Sequence, residues 1–171
     1  MTMTLPAPTT APEKSAAPAP TLLVIVGMVG AIEALGGVTE LRTLFGDVSK
    51  ISPTSLAVIA LHPVFGLTAL AFALVGRLRY GIAALALLAL SQWFSDMSPD
   101  FDLSYSFSGS AFVNLQVAFK IYLRPVFALA AIAAAWFDRY LAAATIAVML
   151  PTIIDAAGVA AFAVGVMLYG F

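Results

Sequence analysis

The chain has 171 residues, of which 62% are hydrophobic and only 10% are charged, and its mean hydropathy is +1.02. A soluble domain is about half apolar and about a quarter charged, so this composition indicates a polytopic membrane protein. The net charge of −1 excludes a basic surface for nucleic acid, and the lack of cysteine excludes disulfides, thiolate metal sites and iron–sulfur clusters. The single histidine, His62, excludes a bis-histidine haem or a multi-histidine metal centre, so we expect no metal and no cofactor.

Five apolar stretches follow an N-terminal tail, residues 1–20, whose Pro-, Ala- and Thr-rich composition is typical of disorder and not of a cleaved signal peptide. A bilayer core of roughly 30 Å needs about 20 helical residues, so we predict an all-α transmembrane bundle over 21–171. The predicted spans are 21–37 with a helix that continues to about 45, then 53–76, 80–95, 111–137 and 141–171. The last stretch forms either one long helix that tilts, kinks at Pro151 or protrudes, or two half-helices that meet near Asp155.

A short phrase occurs twice in the chain. Residues 59–75 align on 121–137 without gaps, and nine of the seventeen positions are identical, including a Pro-Val-Phe between leucines. Each copy continues to an Arg-Tyr pair and then to an aspartate. We interpret the pattern as a tandem repeat of a two-helix hairpin, about 53–96 and 112–155, and coincidence in an alanine-rich apolar chain is the alternative.

The basic residues of the short loops predict the orientation in the membrane. One side collects Lys14, Arg77, Arg79 and Arg139. The other side collects Arg42, Lys50 and an acidic, Ser-rich loop from Asp96 to Ser110. We therefore expect an integral protein of a bacterial-type inner membrane with a cytoplasmic N-terminus.

Six ionisable residues fall within or at the ends of the apolar spans: Glu33, His62, Asp96, Lys120, Arg124 and Asp155. A charge at the centre of a transmembrane helix costs about 2.5–3.5 kcal/mol, so each needs a partner, a wet cavity or a route to the interface. In an antiparallel hairpin, residues equidistant from the turn lie at equal depth. By this rule His62 lies level with Asp96, and Arg124 with Asp155, so we predict these two pairs.

Two interpretations of these residues stay open. In the first, Glu33, His62, Asp96, Arg124 and Asp155 line a polar cavity, with Gln92 and Lys120 in support, which binds an anionic or amphipathic small molecule or passes protons. In the second, the ion pairs only fix helix register, because breaking a buried pair is costly whatever its role. Pro63 leaves the carbonyl of Ile59 without its helical donor, and the side chain of His62 could donate a hydrogen bond to that carbonyl instead. Lys120 is expected to snorkel outward.

Small residues and aromatic residues suggest how the helices meet their surroundings. Glycines beside Glu33, among them Gly30 and Gly37, allow a second helix to come close. Two faces of small residues suggest a membrane-protein partner or a homo-oligomer: Ala157, Ala161 and Gly165 on the last helix, and Gly30 with Gly37 on the first. Four aromatic residues near predicted helix ends are typical of anchors at the membrane interface: Tyr80, Trp93, Trp136 and Tyr140.

The last fifty residues resemble the DoxX-like group of small four-helix membrane proteins. The matching features are Arg124 within one apolar span and the run Leu150-Pro151-Thr152-Ile153-Ile154-Asp155-Ala156-Ala157-Gly158 in the next. The chain departs from that pattern with an extra span, a proline after the arginine and the acidic loop. The resemblance implies a compact helical bundle and carries over no catalytic residue.

Two functions compete on the sequence. The first is a non-enzymatic binding or accessory subunit of a membrane complex, or a minor transporter. The second is a membrane-embedded enzyme acting on a lipid, quinone or isoprenoid, with His62 and Asp96 as its acid–base pair and Arg124 holding an anionic group. An enzyme needs an opening from the lipid to His62, whereas a structural pair is closed off by helix packing.

Overall fold

The computed structural model describes residues 19–46, 51–97 and 109–170. Its helices are α1 (Pro20–Glu40), α2 (Pro53–Leu74), α3 (Leu78–Asp96), α4 (Ala111–Ala118), α5 (Arg124–Trp136) and α6 (Leu141–Tyr169). A 3-10 turn, Leu41–Phe45, extends α1, and a π-helical turn, Phe119–Leu123, joins α4 to α5. The predicted all-α fold is confirmed over these residues.

Parts of the sequence predictions lie outside the described residues. These are the tail 1–18, which carries Lys14, the segment 47–50, which carries Lys50, and residues 98–108 of the acidic loop. The proposed disorder of the tail and the full count of loop charges therefore stay predictions.

Serine and proline fix where two of the helices begin. The hydroxyl of Ser52 accepts a hydrogen bond from the amide of Ser55, and Pro53 takes the first helical position of α2. Ser110 accepts from the amide of Val113 in the same way at the start of α4. A proline has no amide to leave unpaired at a helix start, and a serine cap satisfies one of the free amides that follow it.

Four helical segments are long and apolar enough to cross a membrane: Pro20–Phe45, Pro53–Leu74, Ala111–Trp136 and Leu141–Tyr169. The third helix, α3, is not among them, because Arg79, Tyr80 and Gln92 lower its hydropathy. It is nevertheless the central helix, since it packs against α1, α2, α5 and α6 and buries Ile82 and Ala86 completely. Four candidate spans are therefore found, and the predicted fifth span stays a prediction.

The outer surface of the bundle is apolar. Leu35 is 69% exposed, Leu74 79% and Met167 83%, and most of α6 beyond Asp155 is exposed. Soluble proteins rarely expose contiguous apolar surfaces of this kind, because their contact with water is unfavourable. Contact of such a surface with lipid tails is favourable. The protein is an integral membrane protein with lipid-facing helices.

The tightest helix pair is α1 against α2. A Cβ atom added at Gly37 would lie 2.5 Å from the backbone nitrogen of Pro63, and one added at Gly66 would lie 2.5 Å from that of Ala34. The prediction that glycines beside Glu33 admit a second helix is confirmed. The further idea that Gly30 and Gly37 face a partner protein is wrong, because α2 buries both of them.

The two turns that join α2 to α3 and α5 to α6 have the same hydrogen bonds at an offset of 62 residues. In the first, the amide of Arg77 donates to the carbonyl of Phe72 at 2.8 Å, and in the second that of Arg139 donates to Ala134 at 3.0 Å. Gly76 in the first turn and Asp138 in the second both have positive φ, as the residue after a helix often does. The second turn then has one extra residue, Tyr140, so α6 begins 63 positions after α3.

The last helix, α6, is continuous from Leu141 to Tyr169. The alternative of two half-helices meeting near Asp155 is therefore wrong. Pro151 lies within the helix and is buried against the rest of the bundle, and the helix continues past it. The helix is about 43 Å long at 1.5 Å per residue, which exceeds a hydrocarbon core of roughly 30 Å.

Candidate functional site

A partly open pocket of about 320 Å³ lies toward the end of the bundle where α1 and α3 finish. Its lining combines charged, polar and apolar side chains: Glu40, Thr43, Val58, Ile59, Gln92, Ser95, Asp96, Lys120, Arg124 and Asp155. These residues come from α1 and its 3-10 extension, α2, α3, the π-helical turn, α5 and α6. We call this space the polar pocket.

Arg124 and Asp155 form the closest ion pair of the polar pocket. The Nη2 atom of Arg124 donates to Oδ2 of Asp155 at 2.7 Å, which is the contact predicted from their equal depth. Lys120 reaches the other oxygen of Asp155 at 3.0 Å, so it does not snorkel outward as expected. The Nη1 atom of Arg124 lies 3.5 Å from Asp96, and its Nε is buried without a partner.

The two basic residues lie on and directly after the π-helical turn Phe119–Leu123, which contains Lys120 and precedes Arg124. Pro125 has no amide proton, so the carbonyl of Ile121 lacks its usual helical donor. The indole nitrogen of Trp93 donates to that carbonyl at 2.9 Å. Trp93 therefore binds the π-helical turn of the neighbouring helix, and its role as an interfacial anchor stays a prediction. Insertions of one residue, as in a π-turn, often occur at functional sites because they re-aim side chains.

His62 has different partners from those predicted. Its Nε2 lies 2.9 Å from Oε2 of Glu33, and its Nδ1 lies 2.8 Å from Oε2 of Glu40. The predicted pair with Asp96 is wrong, because both ring nitrogens face α1 and the Asp96 carboxylate faces Arg124 instead. The idea that His62 serves the carbonyl of Ile59 is wrong for the same reason. We call Glu33, His62 and Glu40 the triad.

The triad runs from the polar pocket into the bundle core. The Glu40 side chain is 48% exposed and lines the pocket, whereas His62 is 5% exposed and Glu33 is 15% exposed. Thr152 of α6 donates a hydrogen bond to the second oxygen of Glu33. Beyond Glu33 lies a cavity of about 10 Å³ lined mainly by apolar residues, which is room for about one water molecule.

The predicted five-residue cluster is therefore divided into two neighbouring groups. Glu33 and His62 belong to the triad, and Asp96, Arg124 and Asp155 belong to the polar pocket. Gln92 lies between them, since its amide is 3.4 Å from Nε2 of His62 and it also lines the pocket.

The 63-residue offset changes which residues of the two hairpins correspond. In the predicted repeat, His62 would align with Arg124, and Gln92 instead of Asp96 would align with Asp155. The weak contact between His62 and Gln92 in one hairpin thus matches the ion pair in the other. The two aspartates are not aligned by this offset, because they are 59 positions apart whereas the helices that carry them begin 63 positions apart.

Sequence reasoning missed Glu40 and Thr152 as site residues. The spacing of seven between Glu33 and Glu40 was the available signal, because residues two helical turns apart share one face. Thr152 gave no signal, since it comes from a helix distant in sequence. Among residues 19–46, 51–97 and 109–170, no group of three or more His, Asp or Glu side chains is arranged to hold a metal ion.

The arrangement offers both signs of charge in a space of small-molecule size. Lys120 and Arg124 can hold an anionic group, and the oxygens of Glu40 and Asp96 can hold a cationic one.

No family model matches the chain, and neither a curated protein nor a solved structure matches it. The likeness to DoxX-like proteins therefore stays an expectation that rests on the residues quoted for it.

Proposed function

We propose that this protein is a non-enzymatic membrane protein that binds a small polar molecule in the polar pocket, as a binding or accessory subunit. The observation that carries the proposal is the burial of Arg124, which is 3% exposed, beside a pocket of about 320 Å³ with charged groups from several helices. Burying a charge in a membrane protein is costly, and such residues generally mark functional sites.

Ion pairs that served only helix register would be covered by packing. The side chains of Glu40, Asp96 and Asp155 are instead 48%, 46% and 41% exposed. They converge on a space that no side chain fills. This combination favours ligand binding over a purely structural role.

The alternative function, an enzyme acting on a lipid, quinone or isoprenoid, has less support. It requires an opening from the lipid to His62, but His62 is 4% exposed and both its ring nitrogens contact carboxylates. A transporter would need a continuation of the polar path past Glu33. The residues that follow there are mainly apolar, among them Leu85, Leu88 and Val148.

The finer architectural predictions belong to the same proposal. We propose that α3 is a fifth span, because it lies inside the bundle between the other helices. The shared hydrogen bonds of the two interhelical turns support a duplicated hairpin. Arginines at those turns support a cytoplasmic N-terminus in a bacterial-type inner membrane. Ala157 and Ala161 are exposed on α6, and association of this face with a membrane-protein partner or a second copy is part of the proposal.

The proposal is tested with three probes of different charge: ethylammonium chloride, sodium acetate and sodium phosphate. Binding to the full-length protein in detergent is followed by the thermal midpoint and by calorimetry. At least one probe should bind saturably, and Asp96→Asn or Lys120→Met should change its affinity by about tenfold, the effect of one charged contact.

Asp138→Asn is the matched control, because it removes the same charge in the turn at the opposite end of the bundle. It should leave binding unchanged. Failure of all three probes to bind, or equal effects of the pocket and control substitutions, would contradict the proposed function.

A further inference from the structure

The two contacts of His62 fix how many protons the triad holds. Each contact, at 2.8 and 2.9 Å, joins a ring nitrogen to a carboxylate oxygen, and each needs one hydrogen between the two atoms. A neutral imidazole beside two carboxylates has only one such hydrogen, so one contact would join two lone pairs. The triad therefore carries one proton more than neutral His62 with two carboxylates. We place this proton on the imidazole ring, because each ring nitrogen then donates to one carboxylate oxygen.

The polar pocket has carboxylate oxygens with which no basic side chain in the described part of the chain pairs. Both basic side chains are directed at Asp155, at 3.0 and 2.7 Å. Among residues 19–46, 51–97 and 109–170, Asp96 has one ion-pair contact, to Arg124 at 3.5 Å, and Glu40 uses one oxygen for His62. The pocket-lining charges are three acids and two bases, counted as Glu40, Asp96 and Asp155 against Lys120 and Arg124. These lining charges sum to one negative charge in excess, and among the described residues the carboxylate oxygens with the fewest contacts belong to Glu40 and Asp96.

We propose, on the basis of the proposed binding function, that the ligand carries an ammonium group that binds Glu40 and Asp96 in exchange for the extra proton of the triad. Glu40 is the residue shared by the pocket and the triad, so one carboxylate serves both. An ammonium group has three donors and a compact charge, which suits two carboxylates and the nearby hydroxyl of Ser95. The class includes free amines and lipids with an amine headgroup.

The exchange balances in atoms and charge. Before binding, the imidazolium of His62 donates to Glu40 and Glu33. When the ammonium group arrives, Glu40 turns from Nδ1 to the cation, and Nδ1 releases its proton to water in the pocket. His62 is then neutral, and its remaining proton on Nε2 is still donated to Glu33. One positive charge enters and one leaves, so the net charge of the site does not change.

Other charged groups near the triad set the background for this exchange. Across the polar pocket they are Asp96, Lys120, Arg124 and Asp155. The neutral amide of Gln92 and the hydroxyl of Thr152 complete the surroundings. Lys120 and Arg124 carry two positive charges against the two negative charges of Asp96 and Asp155, so these four residues have no net charge. The cation at Glu40 is therefore the new charge closest to His62, and the nearer charge dominates the exchange.

The test is calorimetric titration of the full-length protein in detergent with ethylammonium chloride at pH 7. Two buffers with different ionisation enthalpies give the number of protons released. Wild type should bind saturably and release about one proton per bound cation, by linkage between the two cations. Ethanolamine-headgroup lipid added in mixed micelles should compete if the natural ligand is a lipid, and should not compete if it is a free amine.

Substitutions separate the parts of the proposal. Glu33→Gln lies outside the polar pocket and can donate its amide to Nε2 of His62, so the triad no longer needs an extra proton. This variant should bind ethylammonium with proton release near zero. Glu40→Gln should weaken binding by about tenfold or more, as expected for one charged contact. Asp138→Asn, the control in the opposite turn, should behave as wild type.

The outcomes are distinct. Binding of acetate or phosphate without binding of ethylammonium would overturn the ligand class while leaving the proposed binding function intact. Binding of ethylammonium to wild type without proton release would overturn the exchange. Proton release that persists in Glu33→Gln would also overturn it, because the proton would then come from another group. If Glu33→Gln does not fold, the wild-type titration in two buffers still decides.

Discussion

Replacing Asp155 by asparagine should destabilise the protein far more than removing Lys120, although both residues belong to one ion-pair group. The reason is the difference in burial of the two cations. The Arg124 side chain is 4% exposed, and its nearest counter-charge among the described residues would then be Asp96 at 3.5 Å. The Lys120 side chain is 41% exposed and can turn to water.

The magnitudes follow from general values for such pairs. Removing one partner of a buried pair costs about 3–5 kcal/mol. Because Asp155 is itself 41% exposed and Asp96 remains nearby, we expect the lower end, about 3 kcal/mol, for Asp155→Asn. Lys120→Met breaks an exposed pair and should cost about 0–1 kcal/mol. At about 2–4 °C per kcal/mol for a chain of this size, the two thermal midpoints should differ by about 4–12 °C.

The assay is a thermal melt in detergent, read by circular dichroism, with a denaturant titration for the free energy of unfolding. Arg124→Met combined with Asp155→Asn should recover part of the loss, because the double substitution removes the uncompensated charge. Equal and small effects of Asp155→Asn and Lys120→Met would refute the reasoning. Such a result would mean that Arg124 reaches water or another acid.

Two further substitutions test the packing around the site. Gly37→Ala should lower the free energy of unfolding by about 1–3 kcal/mol because its new methyl group meets the backbone of α2; Gly165→Ala, where a Cβ has open space, is the control, and equal effects would contradict the close approach. Trp93→Phe should lower the thermal midpoint and weaken probe binding in the polar pocket, since it leaves the carbonyl of Ile121 unpaired at a cost of about 1–3 kcal/mol. Trp136→Phe, which changes an 81% exposed ring, should alter neither quantity, and a binding loss confined to that variant would disprove the assignment.

Hydropathy and turn spacing were sufficient to predict much of the helical layout. The predicted span 53–76 corresponds to Pro53–Leu74, and 141–171 corresponds to Leu141–Tyr169. Equal distance from a turn also placed Arg124 beside Asp155, because a short turn holds two antiparallel helices in a fixed axial register. These features depend on local sequence and on distance along a helix, which a single sequence contains.

The sequence did not show how each helix is rotated about its own axis, and this rotation decides which neighbouring helix a side chain faces. His62 and Asp96 lie at similar depth by the same rule, yet His62 turns toward α1 and Asp96 toward Arg124. Equal depth states how far two residues are from a turn and not which neighbour each one faces. The extra residue in the second turn could not be predicted either. The repeated phrase ends before that turn, so no matching residues beyond it fixed the alignment.

The contrast between the two hairpins explains why α1 is essential to the site. In the second hairpin, Arg124 finds its closest acid, Asp155, within the same pair of helices. In the first, the neighbour of His62 on α3 is Gln92, an amide that cannot neutralise a charge. His62 must therefore take its carboxylates from α1, a helix outside the proposed repeat. A duplicated hairpin alone would have one ion pair and an isolated histidine, so α1 is the element that converts this histidine into part of a charged site.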